Sequence, residues 1–197
     1  MNTNSEILHE IKKNNDVITT LQVLQLGYSK ALLTKYVKAG LLIRSSHGIY
    51  ILPDTVNDEM YTLMMRSSKV IFSHETALFL NGLSNRTPFQ HAVTIPSDAS
   101  LPASIKNECI CYYIKPSLHT LGIIEKHTSF GNLVRCYNIE RTICDLLRSR
   151  SRCDEETVIS ALKNYAAFKG KNLNLLGEYA KLMKVEKTLK GYMEVLL

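Results

Sequence analysis

Residues 27–52 read GYSKALLTKYVKAGLLIRSSHGIYIL. The stretch opens on a glycine turn, runs through a lysine-studded apolar segment to Gly40, and then becomes β-like around a polar tip. Ser29 is placed to cap a helix that runs to about Ala39, with Gly40 as its stop. At about 100° per residue, Leu32, Leu33, Tyr36 and Val37 gather on one side of that helix, and Lys30, Thr34, Lys35 and Lys38 on the other. LLIRSS and GIYIL read as two strands joined by a tight turn through Ser46, His47 and Gly48.

Upstream, SEILHEIKKNN carries Ile7, Leu8 and Ile11 at helical spacing, with Ser5 or Asn4 as candidate caps. An Asn-Asp break follows. VITTLQVLQLG reads as a second, short helix: Thr19 or Thr20 caps it, Leu21, Leu24 and Leu26 supply apolar contacts, and Gly27 ends it. Three helices and then a hairpin is the order of a winged helix-turn-helix, in which the second and third helices form the DNA-reading pair and the hairpin forms the wing.

That order gives the lysine face a use. Lys30, Lys35 and Lys38 suit phosphate contacts, which supply affinity without sequence information. Ser29 and Thr34 are better placed to approach base edges, because the start of a recognition helix enters the groove first. Arg44, Ser45, Ser46 and His47 in the wing can donate to phosphate or to a minor-groove edge. A lysine stripe by itself also describes an ordinary solvated face. The glycine stop and polar-tipped hairpin directly after it favour double-stranded DNA as the partner.

The composition is consistent with this. The chain has 197 residues, a formal charge of +6 and 45% hydrophobic residues, enough to bury a core in one domain or two small ones. A basic balance suits an anionic partner. MNTNSEILHEIKKNND has no continuous apolar core of a signal peptide, and nothing approaches the ~20 apolar residues of a membrane span, so a cytoplasmic location away from membranes is expected. The five cysteines are odd in number and lie in apolar or helical contexts, which points to reduced thiols. Cys109 and Cys111 would face the same side of a strand, but a zinc site needs two further ligands at suitable spacing, and none is evident. No metal and no cofactor are expected.

PDTVND after Leu52 reads as a linker. Beyond it, EMYTLMMRSS is a helix, KVIFSHETALFLNGLS a short strand or loop and a helix capped at Ser73, and HAVTIP, ECICYYIK and GNLVRCYN are strand-like. From Glu140 the pattern is helical. The expected class is α+β: an N-terminal winged helix-turn-helix over 1–52, then a larger α+β domain over 57–197 with a helical end.

With these pieces in order, the chain resembles the AbiEi family of antitoxins from abortive-infection, type IV toxin–antitoxin systems. The resemblance rests on residues 27–52, on FSHETALFLNGLSNRTPFQHAVTIPS, and on YNIERTICDLLRSR. It implies an antitoxin that represses its own operon by binding inverted repeats in the promoter, and that counteracts a cognate nucleotidyltransferase toxin without a stable complex. It also implies that the N-terminal domain serves repression and the C-terminal domain the antitoxin activity. The alternative is a stand-alone winged-helix transcriptional regulator whose C-terminal domain binds a ligand or partner.

No catalytic constellation emerges. In FSHET, the neighbouring Ser73, His74 and Glu75 are expected to point in different directions at a helix start, with Ser73 as its cap. There is no nucleophile elbow, phosphate loop or zincin motif. ECICYYIK and IIEKH lack the clustered carboxylates of a magnesium-dependent nuclease. A non-enzyme is expected. Arg148, Arg150 and Arg152, with Lys181, Lys184 and Lys187, form a possible second basic surface able to grip flanking DNA.

Overall fold

The computed structural model describes residues 3–196. The chain divides into two compact units. The first comprises Met1–Ser68 and Thr128–Asn132; the second comprises Lys69–His127 and Leu133–Leu197.

The first unit contains helix α1 (Thr3–Lys13), strand β1 (Val17–Thr19), helices α2 (Thr20–Gln25) and α3 (Lys30–Lys38), strands β2 (Ile43–Ser46) and β3 (Ile49–Ile51), and helix α4 (Glu59–Arg66). The hairpin is there, and it holds a third strand that the sequence did not announce. The sheet order is β1-β3-β2, antiparallel throughout, with Ile18 opposite Tyr50 and Arg44 opposite Tyr50 on the other side. β1 is only three residues long and joins α2 without a break, so it reads as the front of that helix.

Thr19 ends the strand and starts the helix. Its hydroxyl accepts the Gln22 amide at 3.0 Å, and the Gln22 side chain accepts the Thr19 amide at 2.8 Å, a reciprocal capping box. α1 begins at Thr3, so Asn4 and Ser5 lie inside the helix and not at its cap.

The core of this unit gathers Ile7, Ile11, Ile18, Val23, Leu33, Tyr36 and Leu42. Leu8, expected to share the α1 stripe, is half exposed, because Ile7 and Ile11 already face inward one turn apart. On α2 the buried residue is Val23, and Leu21 and Leu24, expected as contacts, are 64% and 45% exposed. Only one face of so short a helix meets the core, and Val23 occupies it.

The first unit continues past the expected boundary at Leu52. Asp58 caps α4 by accepting the Tyr61 amide at 3.2 Å. Its other oxygen accepts the Thr128 hydroxyl at 2.5 Å and the Asn132 side-chain amide at 2.8 Å. One buried carboxylate therefore ties α4 to a segment that lies 70 and 74 residues further along the chain. Asp58→Ala should lower the stability of this unit by about 3 kcal/mol, because a cap is lost and three donors are orphaned. Chemical denaturation measures it, and a change below about 0.5 kcal/mol would show the carboxylate to be dispensable.

The second unit has strand β4 (Ile71–Phe72), helix α5 (His74–Leu80), strand β5 (His91–Pro96), helix α6 (Ala103–Lys106), strand β6 (Cys109–Ile114) and helix α7 (Pro116–His119). Strands β7 (Ile123–His127) and β8 (Leu133–Tyr137) follow, then helices α8 (Ile139–Arg148), α9 (Glu155–Ala167), α10 (Leu173–Leu182) and α11 (Glu186–Leu196). The sheet order is β6-β5-β4-β8-β7. β5–β6 and β4–β8 run parallel, while β4–β5 and β7–β8 run antiparallel. The helical end packs through Leu78, Ile143, Leu147, Leu162, Tyr165 and Leu176. The mixed helix-and-strand class read from the sequence is the class observed.

Gly122 is one position where glycine is required: its φ is +76°, and a Cβ there would lie 2.9 Å from the Arg141 Cβ. Among the described residues no helix is long and apolar enough to cross a membrane.

Candidate nucleic-acid interface

The helical wheel drawn from the sequence is realised on α3. Leu33 and Tyr36 are buried, and Leu32 and Val37 pack beside them. Lys30, Thr34, Lys35 and Lys38 are exposed. Ser29 stands at the N-cap in extended conformation, yet its hydroxyl makes no capping bond. That hydroxyl stays exposed and available to an outside acceptor or donor.

No ion pair engages Lys30, Lys35, Lys38 or Arg44 among the described residues. Lys12 on α1 differs, with its ammonium 2.8 Å from the Asp16 carboxylate. The α3 face is thus a set of unneutralised cations. Behind it, the Tyr28 hydroxyl donates to Glu6 Oε2 at 2.6 Å and joins α1 to the turn before α3. Nothing in the sequence signalled that bond, because its partners are 22 residues apart.

In the wing, Arg44 and His47 are exposed, with Arg44 Nη2 3.4 Å from His47 Nδ1. The two serines behave differently. The Ser45 hydroxyl donates to Asn57 Oδ1 at 2.7 Å, and the Ser46 oxygen is buried. The register shifts between Arg44 and Ser46, a bulge in this strand pair. The open groups of the wing are Arg44 and His47.

Arg148, Arg150 and Arg152, at the end of α8 and just beyond it, each donate a hydrogen bond, two of them to backbone carbonyls. Arg152 Nη2 donates to the Cys111 carbonyl at 3.2 Å, and its guanidinium lies 4.4 Å over the Tyr112 ring. Arg148 Nη1 donates to the Tyr113 carbonyl at 3.4 Å. Those carbonyls lie on β6, an edge strand, so the two arginines cover a sheet edge that would otherwise invite pairing. Arg150 Nη1 donates to the Thr188 hydroxyl at 3.1 Å. Lys181, Lys184 and Lys187 are exposed.

The FSHET segment departs from its expected geometry. Ser73 sits at the N-cap of α5 but makes no capping bond. Its hydroxyl accepts from Thr94 Oγ1 at 2.8 Å and lies 2.9 Å from His74 Nδ1. The neighbours meet because His74 has φ +48°, a left-handed conformation that no sequence signal gave. Ser73 and His74 are fully buried, and the imidazole stacks on Tyr112 at 3.5 Å. Burial, with Arg141 and two further arginines nearby, pushes the His74 pKa down to about 3, so the ring is neutral. The nearby Asp145 carboxylate is committed to Arg141 at 3.1 Å. The segment is a polar core and not an exposed relay.

Residues 5–53 match the family model described as transcriptional regulator, AbiEi antitoxin. The match begins in α1 and ends just after β3, so it spans α1 to α3 and the β2–β3 hairpin and agrees with the resemblance drawn from residues 27–52. The AbiEi match leaves the second unit outside it. Among solved structures, the fold is similar to the crystal structure of the RV2827C protein from Mycobacterium tuberculosis, with a TM-score of 0.53 at 12% identity over 93% of this chain and 80% of that one. At that identity the likeness speaks for the fold alone. No curated protein matches the chain significantly in sequence.

Proposed function

We propose that this protein is an AbiEi-type antitoxin and transcriptional autorepressor. The N-terminal unit reads double-stranded DNA: α3 enters the major groove, with Lys30, Lys35 and Lys38 on phosphates and Ser29 and Thr34 toward base edges. Arg44 and His47 of the wing meet the adjacent backbone or minor groove. The target is an inverted repeat in the chain's own promoter, occupied by two copies. The protein acts in the cytoplasm, without enzymatic activity of its own, and opposes a nucleotidyltransferase toxin without forming a stable complex with it.

The observation that carries this reading is the unneutralised basic face of α3, followed by a wing whose exposed groups are Arg44 and His47, within the region that matches the AbiEi model. A rescue experiment tests the antitoxin half. The full chain is expressed from an independent promoter together with the proposed nucleotidyltransferase toxin. Growth is expected to be restored by wild type and equally by a variant with Lys30, Lys35, Lys38 and Arg44 changed to alanine. Absence of rescue by both would leave a plain winged-helix regulator.

A further inference from the structure

Cys109 and Cys111 stand two residues apart on β6, with their sulfurs 3.6 Å apart. Strand alternation puts both on one face and Tyr112 on the other. Cys153, 3.7 Å from the Tyr112 hydroxyl, lies on that other face and outside the pair. β6 is an edge strand, and β5 is its only strand partner among the described residues. Among the described residues no group of three or more His, Cys, Asp and Glu side chains could hold a metal ion, so the pair is not part of a larger ligand set.

The two thiols are unequal. Cys109 is buried, with its sulfur 3.1 Å from the Ile105 carbonyl. Cys111 is partly exposed. The side-chain contact with Cys109 brings the Cys111 thiol down to about 7 against the opposing effect of burial, and Lys106 and Arg152 add to the fall. Burial pushes the other way at Cys136 and Cys144, up to about 12, and at Cys153, up to about 11. A partly exposed thiol of lowered pKa beside a second thiol is the arrangement that reacts with oxidants and then resolves.

We infer that Cys109 and Cys111 form a peroxide-sensitive dithiol, with Cys111 as the attacking sulfur and Cys109 as the resolving one. In the first step the Cys111 thiolate attacks a hydroperoxide oxygen. The O–O bond breaks, the sulfur becomes a sulfenic acid, and the peroxide is reduced to water or an alcohol. In the second step the Cys109 sulfur attacks the sulfenic sulfur, the S–O bond breaks, and water leaves with the Cys109 proton. A dithiol reductant reverses the bond by exchange.

The geometry also sets the bond's character. Residues two apart on a strand have Cα atoms about 6.6 Å apart, at the long end of the roughly 4.4–6.8 Å that disulfides span. Closing the bridge therefore bends β6 at its unpaired edge and pulls the Cys111 carbonyl away from Arg152. A bridge under such strain is easily reduced, which is the behaviour of a labile, regulatory disulfide.

The test uses the full chain treated with hydrogen peroxide and mapped by mass. The tryptic peptide that follows Lys106 carries Cys109 and Cys111 and no other cysteine. The expected result is loss of two of the five thiols, both in that peptide, which becomes lighter by two hydrogens and recovers with dithiothreitol. In Cys109→Ser, Cys111 is expected to stop at the sulfenic acid and be trapped by dimedone. In Cys111→Ser, the peptide is expected to stay unmodified at the same dose. The inference is overturned if the wild-type peptide keeps both thiols while others oxidise, or if Cys111→Ser reacts as fast as wild type. The wild-type map decides without the variants, so a variant that fails to fold does not leave the question open.

Discussion

Arg141→Ala is expected to destabilise the second unit by about 4–5 kcal/mol, a large part of what holds a domain of this size together. Arg141 is fully buried. Its Nε bonds Asp145 Oδ2 at 3.1 Å, its Nη1 donates to the Leu118 and Leu121 carbonyls at 2.7 and 2.9 Å, and its guanidinium lies 4.1 Å over the Tyr137 ring. Removing it orphans two carbonyls and a buried carboxylate at once. The carboxylate is already strained for charge: burial pushes the Asp145 pKa up to about 6 even with Arg141 beside it.

A second substitution separates these costs. Asp145→Asn placed on top of Arg141→Ala removes the uncompensated charge but leaves the two carbonyls unsatisfied. The double variant is therefore expected to recover part of the loss and not all of it. Chemical denaturation of wild type and both variants reads the result. A loss under about 1 kcal/mol in Arg141→Ala would mean that water enters and solvates the site, and the ion pair would not be the pin described here.

The other large effect is on DNA. Changing Lys30, Lys35, Lys38 and Arg44 together to alanine is expected to weaken operator binding by about a hundredfold or more at physiological salt. All four side chains are exposed, so the fold should tolerate the change within about 0.5 kcal/mol per site. The loss should be nearly the same on operator and on unrelated duplex, because phosphate contacts carry no sequence information. Thr34→Ala should differ in kind, reducing the preference for operator over unrelated duplex while the salt dependence holds.

What the sequence disclosed follows the range of the forces involved. The α3 wheel was legible because a helix repeats within nine residues, and Leu33, Tyr36 and the three lysines fall where that period puts them. The β2–β3 hairpin was legible because His47 and Gly48 mark a tight turn between apolar runs. Other features depend on distant chain. β1 exists because β3 pairs with it, which no pattern in Val17–Thr19 reveals. Arg148 and Arg152 looked like free charge until β6, 35 and 41 residues away, supplied carbonyls for them. His74 reaches Ser73 only through a left-handed φ, a backbone state held by surrounding packing. The same limit hid the bulge between Arg44 and Ser46.

In the proposed function the α3 face and the β2–β3 hairpin bind DNA through phosphates. The most direct test is the affinity of the full chain for its own upstream duplex, measured across a salt series for wild type and the quadruple alanine variant. The wild-type slope is expected to be steep and to flatten in the variant by about 3–4 units, near 0.9 for each lost contact. Equal slopes and equal affinities in the two proteins would contradict it, and the lysine face would then be solvated surface alone.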